Sequence, residues 1–496
     1  MPLRSNRSIA GIVLGFALTA CGGSDSPSTS PASPAAHGIV FVSGAGASDT
    51  ILAQLQQPLV VEVHTTTGEI VPAGTRVYFV ALYDGKNPVV SIGTLAELPN
   101  HTLDSLLTDT KGRASILVQL GGQTGIAHVI VSVPNYHLID TASYTITPGS
   151  PFYVDLQPVD TSVIVGRAFS LRGRSTDRHF NTRSDPITWS VSPSSGLTIA
   201  STGAGTGTIP GRYSVTITAG ALPSQTTKGF VGLLPAVRAA GWTQETGSLS
   251  LTDLDGGNKR TVLTVADGGV GARPAWMPDG AHIIYTAPVN GFQTLMITDT
   301  NGVTKPFLST VPAGMTNQAD PMPTADGRWV YFAAVDGTCS KAPAYCIYRS
   351  RIDGTSPELV GTTAASSFPP LYAPSKDGSQ VAYSGGSAVV VFDVATKKLS
   401  VLPINCSYPA WSPDGSRLAC LGAYGLMVAN RDGTESHVLD FSNGSVWNAP
   451  IEWTSDGKFI VVSVLPGGWG LVDPQTGSMM KTVGLTPSVL TLRRFP

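Results

Sequence analysis

The chain has 496 residues, only 13% of them charged, and its 31 Lys and Arg nearly balance its 33 Asp and Glu. This length is too great for one ordinary domain, and the near-zero net charge argues against a nucleic-acid-binding protein, which needs a basic surface to displace counterions from phosphates. Apolar residues at 42% exclude wholesale disorder, while 55 glycines and 37 prolines indicate many turns between short strands.

The first residues have the pattern of an export signal. Arg4 and Arg7 precede an apolar run that ends in Leu18-Thr19-Ala20-Cys21. This run is too short to span a membrane, which takes about 20 apolar residues. The last four residues resemble the bacterial lipobox, and the resemblance implies that residues 1–20 are a signal peptide and that Cys21 carries the lipid. An ordinary cleaved signal with a chance cysteine is the alternative.

A short tether follows the lipid attachment site. Residues 21–37 are rich in Ser, Pro and Ala and have no apolar period, so they cannot bury enough surface to form a packed structure. Gly22 follows the cysteine, and the sorting rule of the lipoproteins then implies the outer membrane, with the rest of the chain as an ectodomain. The N-terminal lipid is the predicted contact with the membrane.

Residues 38–150 alternate between apolar and polar side chains with a period of two, as half-buried strands do. The clearest such runs are 59–63, 76–80, 115–119 and 128–132. Several short strands at this spacing predict an antiparallel sandwich. The segments 71–79 and 108–114 resemble the bacterial Ig-like domains of invasins and intimins, which implies a spacer or an adhesive module.

Residues 151–235 predict a second Ig-like sandwich, with Trp189 as its core residue on a central strand. Neither module contains a cysteine pair, so both depend on apolar packing. Four closely spaced glycines in the second module predict a glycine-rich hairpin rather than a phosphate-binding loop, because a β-rich run and not a helix follows them. These glycines are Gly203, Gly205, Gly207 and Gly211.

One motif recurs five times between residues 236 and 496, and each copy ends in an Asp-Gly turn followed by an apolar strand. Its five aspartates, named the corner aspartates below, are Asp279, Asp326, Asp377, Asp414 and Asp456. Their spacings of 47, 51, 37 and 42 residues are those of propeller blades with four strands each. The repeat, seen best in Pro409–Gly415, resembles the repeats of TolB-type propellers. That family has an α/β domain before its propeller, so the Ig-like modules here argue against the Tol-system component itself.

The predicted ring closes through the C-terminus. Six outer hairpins can be counted, but only five inner strand pairs carry the motif. The run 488–494 can supply the innermost strand that the first sheet lacks, and this pairing leaves no open sheet edge. The fold class is therefore all-β, with two Ig-like β-sandwiches followed by a six-bladed β-propeller over 236–496.

Few titratable residues of the predicted propeller are free for catalysis. Turns and repeat positions account for most of its acids, because Asp at a turn hydrogen-bonds the backbone two residues on. Its only histidines are His282 and His437, too few for a metal cluster. We therefore predict no catalytic residue, no metal and no cofactor. The acids that remain are Glu245, Asp320, Glu358, Glu435, Asp440 and Glu452.

Four cysteines lie in the exported ring, where disulfides persist. Their positions predict the pairs Cys339–Cys346 and Cys406–Cys420, although residues directly opposite in the second hairpin would need a slightly different spacing. Free buried thiols are the alternative.

The loops that enter the first strand of each sheet, with those that join the second strand to the third, share one face of the predicted ring. These loops are the less uniform ones and carry aromatic and amide groups typical of binding hot spots. The candidate binding residues on this face are Arg273, Asn317, Gln318, Asp320, Tyr408, Trp447, Asn448 and Trp469. Some of the aromatics could instead plug the channel or pack between sheets.

These patterns predict an outer-membrane lipoprotein that recognises a protein or an envelope glycan without catalysis and does not bind nucleic acid. Two alternatives stay open. The first is a carbohydrate- or peptide-acting enzyme, which would require Asp320 and Glu452 to converge in a polar pocket of the channel. The second is a structural or adhesive surface protein with no specific ligand.

Overall fold

The structure is a computed structural model that describes residues 37–493 except 84, 86–88, 99–100, 221–225, 266–272, 338–344, 363–371, 385–387, 424, 440–449, 465–467 and 483–486. The signal sequence, Cys21 and most of the tether lie outside the described residues. The chain divides between Gly149 and Ser150 into two compact units.

The first unit consists of two sheets. The four-stranded sheet contains, in order, Gly38–Ser43, Leu59–His64, Arg113–Gln119 and Ser91–Gly93. The five-stranded sheet contains Ser48–Thr50, Leu138–Thr147, Gly125–Val133, Arg76–Ala81 and Leu103–Leu107, and a 3-10 turn spans Pro134–Tyr136. Alternate residues of both sheets, such as Val61, Phe79 and Val129, form one core, as the period-two pattern predicts.

The second unit begins with three small sheets, named the second module below. The first sheet contains Pro151–Gln157, Arg172–Asp177 and Thr182–Arg183. The second contains Asp160–Ile164, Thr226–Leu234, Gly211–Thr218 and Thr188–Ser192. The third contains Phe169–Ser170, Ala204–Gly207 and Leu197–Ile199. The predicted glycine hairpin is present, since Leu197 pairs with Gly207 and Ile199 with Gly205. Trp189 packs against the apolar core of this module, but its strand was predicted wrongly: it lies half-buried on an edge strand of its sheet and not on a central one.

Six four-stranded antiparallel sheets, named ring sheets 1 to 6, follow the second module. Sheet 1 contains Arg260–Thr264, Ser248–Asp253, Arg238–Thr243 and Val489–Leu492. Sheet 2 contains Ala275–Trp276, His282–Val289, Phe292–Asp299 and Thr304–Pro306. Sheet 3 contains Thr316–Pro323, Trp329–Val335, Tyr345–Arg351 and Glu358–Thr362. Sheet 4 contains Tyr372–Pro374, Gln380–Ser384, Val389–Asp393 and Leu399–Val401. Sheet 5 contains Cys406–Trp411, Arg417–Gly422, Gly425–Asn430 and His437–Val438. Sheet 6 contains Glu452–Trp453, Ile460–Ser463, Trp469–Val472 and Met479–Lys481.

The ring is closed by its C-terminal strand, which pairs antiparallel with Arg238–Thr243 as the innermost strand of sheet 1, as the sequence predicts. Each sheet shares an apolar core with the next one, and the last shares a core with the first. In the closing contact, Val461 and Leu471 of sheet 6 pack with Leu492 of sheet 1. A closed ring of four-stranded sheets is the architecture of a β-propeller.

A recurring tryptophan links neighbouring sheets at the hub. The buried Trp411 of sheet 5 donates its indole N–H to the carbonyl of Ala373 in sheet 4, at 3.2 Å. Trp453 of sheet 6 donates in the same way to Ala410 of sheet 5, at 3.0 Å. These side chains therefore both fill and hydrogen-bond the contact between sheets, as expected for residues at identical repeat positions.

The corner aspartates tie the turn between the first and second strands of each sheet. In the turn of sheet 5, the Asp414 carboxylate accepts hydrogen bonds from the hydroxyl groups of Ser412 (2.5 Å) and Ser416 (2.7 Å) and from the Ser416 N–H (3.0 Å). Gly415 takes a φ of +75°, which most residues with a side chain avoid. A Ser or Thr two residues earlier makes the same contact with Asp326, Asp377 and Asp456. The acids are thus held in turns, as predicted.

The second module is fixed to the ring. Arg167 of the module contacts Asp255 of sheet 1 at 2.5 Å and Asp253 at 3.2 Å. Apolar residues of both parts meet in one cluster, in which Ile164 and Leu234 pack with Met480 and other ring residues. The module therefore has a defined position against ring sheets 1 and 6.

Among the described residues, no helix combines the length and the apolar character needed to cross a membrane.

Candidate functional site

A cavity of about 840 Å³ opens at the hub of the ring, and we name it the corner cavity. Its walls come from the inner strands and corner turns of sheets 3 to 6, among them Lys376, Asp414 and Lys458. It therefore opens on the face that carries the corner aspartates. The predicted binding face is the opposite one, where the first strands begin.

The second module contributes to the same cavity. Pro210, which comes from this module, lines the cavity together with residues of the ring turns. The backbone carbonyl of the preceding residue, Ile209, accepts a 2.9 Å hydrogen bond from the Tyr213 hydroxyl. Arg212 donates a 2.5 Å hydrogen bond to the backbone carbonyl of Met479 in ring sheet 6. Bonds on both sides of Pro210 hold this wall in place.

The cavity wall carries charges of both signs. Its cations are Lys376, Arg417 and Lys458, and its acids are Asp414, Asp456, Asp473 and Glu452. Within the described part of the chain, the side chains of Lys376 and Arg417 have no ion-pair partner, whereas Asp414 and Asp456 are hydrogen-bonded in their turns. The cavity thus has cationic donors without ion-pair partners, whereas its corner acids already accept hydrogen bonds from Ser or Thr hydroxyl groups and backbone N–H groups of their turns.

Two of the inner strands that form the wall end in proline, Pro323 in sheet 3 and Pro374 in sheet 4. Both line the cavity, as does Pro413, which follows the inner strand of sheet 5. Proline has no N–H, so these edges lack the regular row of donors that a pairing strand requires. The wall therefore offers its side chains, rather than a continuous strand edge, to a ligand.

A much smaller cavity of about 50 Å³ lies deeper along the hub. Met322, Pro323, Ile451 and Glu452 line both cavities, and Arg273 lines only the small one. The hub therefore narrows from the corner cavity towards Arg273.

Three of the predicted binding residues occupy equivalent repeat positions. Arg273, Asp320 and Tyr408 each lie six residues before a corner aspartate, in sheets 2, 3 and 5. Asp320 and Tyr408 adopt positive φ angles of 48° and 56° at irregularities in their strands. The Arg273 charge acts on both of these residues, so the structure brings the three into one electrostatic group.

Burial raises the pKa of Asp320, and the nearby Arg273 guanidinium partly opposes the shift. By exposed surface area the residue is only half-buried, but packed protein atoms surround its carboxyl group. Because this desolvation disfavours the charged form, the pKa of Asp320 is raised. Tyr372 donates a 2.5 Å hydrogen bond to the backbone carbonyl of Asp320, and burial followed by the Asp320 charge raises the pKa of this tyrosine well above its usual value.

The other predicted face residues have structural contacts or lie outside the described residues. Gln318 is buried and accepts the N–H of Leu295 at 2.9 Å, and Asn317 accepts the N–H of Gln293 at 3.3 Å. Trp469 is 3% exposed and donates to the carbonyl of Pro487, so its proposed contact role is corrected to packing at the closure of the ring. Trp447 and Asn448 lie outside the described residues.

The cysteine pair Cys406–Cys420 is a disulfide with a Cα–Cα distance of 5.7 Å. A bulge after Ser407 shifts the register by one residue, which places Cys406 opposite Gly422 and therefore on the same sheet face as Cys420. This shift resolves the mismatch in spacing. Cys346 is also disulfide-bonded, and its predicted partner Cys339 lies outside the described residues.

One possible metal-binding group occurs in the first unit. Ligand atoms of Glu97, His101 and Asp104 lie within 4.8 Å of one another. The Glu97 carboxylate already accepts the N–H and hydroxyl of Thr94, at 2.7 and 2.8 Å, and His101 is hydrogen-bonded to the Ile92 carbonyl. We assign no metal to this group.

The residues of the corner cavity were not predicted from the sequence. Lys376, Arg417 and Pro210 come from separate repeats and from a different module, and no local motif connects them. The only available signal was the position of Lys376 and Lys458 beside corner aspartates, at the turns nearest the hub.

Comparisons with protein-family models and with curated protein sequences gave no match. Solved structures with a similar course of the chain include TolB from Acinetobacter baumannii, with 14% identity and a TM-score of 0.44 over 70% of this chain and 100% of that one. A nidogen/laminin complex gives 11% and 0.39 over 52% and 98%, and a puromycin hydrolase gives 16% and 0.36 over 56% and 47%. All these TM-scores are below 0.5, so the assignment of the propeller rests on its sheet topology.

Proposed function

We propose that this protein is a lipid-anchored, extracytoplasmic binding protein whose six-bladed, TolB-like propeller recognises a protein or an envelope glycan without catalysis. One observation carries the proposal: the hub holds a cavity of about 840 Å³ whose corner acids are hydrogen-bonded within turns. A cavity of this size, with polar groups on its wall, suits a ligand. Acids held in this way stabilise the turns and are not poised for proton transfer.

The enzymatic alternative requires a pair of carboxyl groups in one pocket. Glu452 lines both the corner cavity and the small cavity, but Asp320 lines neither, so neither of these two cavities brings the two acids together. Glu452 also accepts the backbone N–H of Leu492 at 3.2 Å. These contacts favour binding over catalysis at the hub.

The anchor completes this proposal. We assign residues 1–20 to the signal peptide, Cys21 to lipid attachment and 21–37 to the tether, which places the ectodomain at the outer membrane. Cys21→Ser should move the protein from the membrane to the soluble fraction, and unchanged membrane retention would refute the assignment. We assign 38–150 and 151–235 to Ig-like modules and 236–496 to the propeller.

The binding function is tested by capture from envelope extracts with the soluble Cys21→Ser chain as bait. Lys458→Glu reverses a charge in the cavity wall, and Arg328→Glu makes the same change two residues after another corner aspartate, outside the cavity. A specific ligand should be lost with Lys458→Glu and kept with Arg328→Glu. Equal capture by both variants would exclude the cavity, and no specific ligand would favour the structural or adhesive alternative.

A further inference from the structure

The corner cavity combines a ring wall with a wall from the second module. Pro210 is the module residue that lines it. An ion pair between Arg167 and Asp255 and a hydrogen bond from Arg212 to the Met479 carbonyl hold the module against the ring. Leu234 of the module and Met480 of the ring also pack in one apolar cluster. A spacer would need no such contacts with the ring, so the module has a defined place at the site.

The chemistry of the wall limits the class of ligand. The lining of the cavity contains three cations and four carboxylates, so a ligand with one sign of charge meets groups of the same sign in the wall. Lys376 and Arg417 offer donors, and the carboxylates of Asp473 and Glu452, each of which already accepts a backbone N–H, have further acceptor positions. A neutral ligand that both donates and accepts hydrogen bonds fits this mixture, and sugar hydroxyl groups do both.

The inner edges disfavour an extended peptide. Strand addition draws its affinity from a row of main-chain hydrogen bonds. Pro323 and Pro374 interrupt that row in sheets 3 and 4. Pro374 and Pro413, with the parts of Trp411 and Trp453 that line the cavity, provide apolar surface for the C–H faces of a sugar ring.

We propose that the corner cavity is a composite site of the propeller and the second module, and that it binds a neutral oligosaccharide. This inference rests on the proposed binding function and specifies its ligand. The second module is then part of the binding site, and Pro210 contacts the sugar directly.

The test uses the soluble Cys21→Ser chain on an array of neutral and acidic oligosaccharides and acidic and proline-rich peptides, followed by titration calorimetry with the best neutral oligosaccharide. Pro210→Glu places a charge in the module wall, and Thr208→Glu places the same charge on an exposed residue of the same loop that does not line the cavity. We expect Pro210→Glu to weaken binding at least tenfold and Thr208→Glu to change it less than twofold.

Binding of peptides or acidic glycans alone, or of no neutral glycan, would overturn the ligand class. Equal effects of the two loop variants would overturn the composite site. Either result leaves the proposed function intact if capture from extracts still depends on Lys458. Unfolding midpoints of both loop variants within a few degrees of the parent show that any lost affinity reflects the site and not misfolding.

Discussion

The indole N–H of Trp453 lies 3.0 Å from the carbonyl oxygen of Ala410, one sheet earlier in the ring. Trp276 occupies the same repeat position in sheet 2, but its indole N–H has no hydrogen-bond partner in the described structure. The two residues therefore share packing and differ in one hydrogen bond.

This difference makes a matched pair for measuring the contact between sheets. Trp453→Phe should lower the free energy of unfolding by about 1 to 2 kcal/mol more than Trp276→Phe, because only the first change leaves a buried carbonyl without its donor. Denaturant unfolding of both variants measures the difference. Equal losses would show that the indole hydrogen bond adds nothing to the packing.

The disulfide Cys406–Cys420 closes a segment with a sequence separation of 14 residues. Cys420→Ala should lower the free energy of unfolding by about 3 kcal/mol under oxidising conditions, because the unfolded chain gains freedom that the link removes. Peptide mapping without reduction should recover the linked peptides. Recovery of alkylated Cys406 and Cys420 from unreduced protein would contradict the bond.

The repeat made the ring predictable. The Asp-Gly spacing marks the turn between the first two strands of each repeat. Sheet 1 lacks an innermost strand before Arg238, and only the C-terminal segment Val489–Leu492 can supply it and leave no sheet edge unpaired. The bulges at Asp320 and Tyr408 were not predictable. Both residues have positive φ angles without being glycine, so only the surrounding packing fixes their conformation.

The position of the cavity was not predictable for a different reason. It depends on how the second module docks, and the docking contact joins Arg167 to Asp255, far apart in sequence and in turns that look like ordinary solvated loops. The irregular loops of the opposite face led to the prediction that the binding site lies there. Their variability says nothing about where the hub is wide.

Docking of the second module can be measured as a coupling energy. Arg167→Gln and Asp255→Asn should each destabilise the contact, and the double variant should lose less than the sum by about 1 kcal/mol, since the ion pair is partly exposed. Limited proteolysis should then cut more readily between the module and the ring. Arg183→Gln is the control, because its partner Asp185 lies within the module. Additive losses would contradict a direct interaction.

The corner turns give the ring an acid-sensitive stability. Hydrogen bonds from Ser412 and then from Ser416 lower the pKa of Asp414 to about 2. Because this is below its ordinary value of 3.8, the stabilisation is present above about pH 4 and is lost as the pH falls towards the folded-state pKa. Other corner aspartates, Asp279 and Asp377, shift in the same direction.

Ser412→Ala removes the largest cause of that shift. The pKa of Asp414 should rise, and the acid limb of the unfolding midpoint, measured from about pH 6 to pH 2, should move to higher pH. Ser455→Ala changes a serine of the next corner that has no hydrogen bond to an aspartate in the described structure, and it should leave the limb in place. An unshifted limb in Ser412→Ala would contradict the assignment.

The contribution of Asp320 to the stability of the fold should depend on pH in the opposite direction to that of Asp414. Its folded-state pKa is raised by burial, so its favourable contribution is complete below the ordinary value of 3.8 and is lost as the pH rises through the raised value. Asp320→Asn removes the charge, keeps the shape and tolerates the positive φ of 48°. We therefore expect the variant to unfold at a higher temperature than the parent at pH 7 and to match it near pH 4. A lower midpoint at pH 7 would show instead that the Asp320 charge stabilises the hub, as it would if Arg273 offset the whole cost of burial.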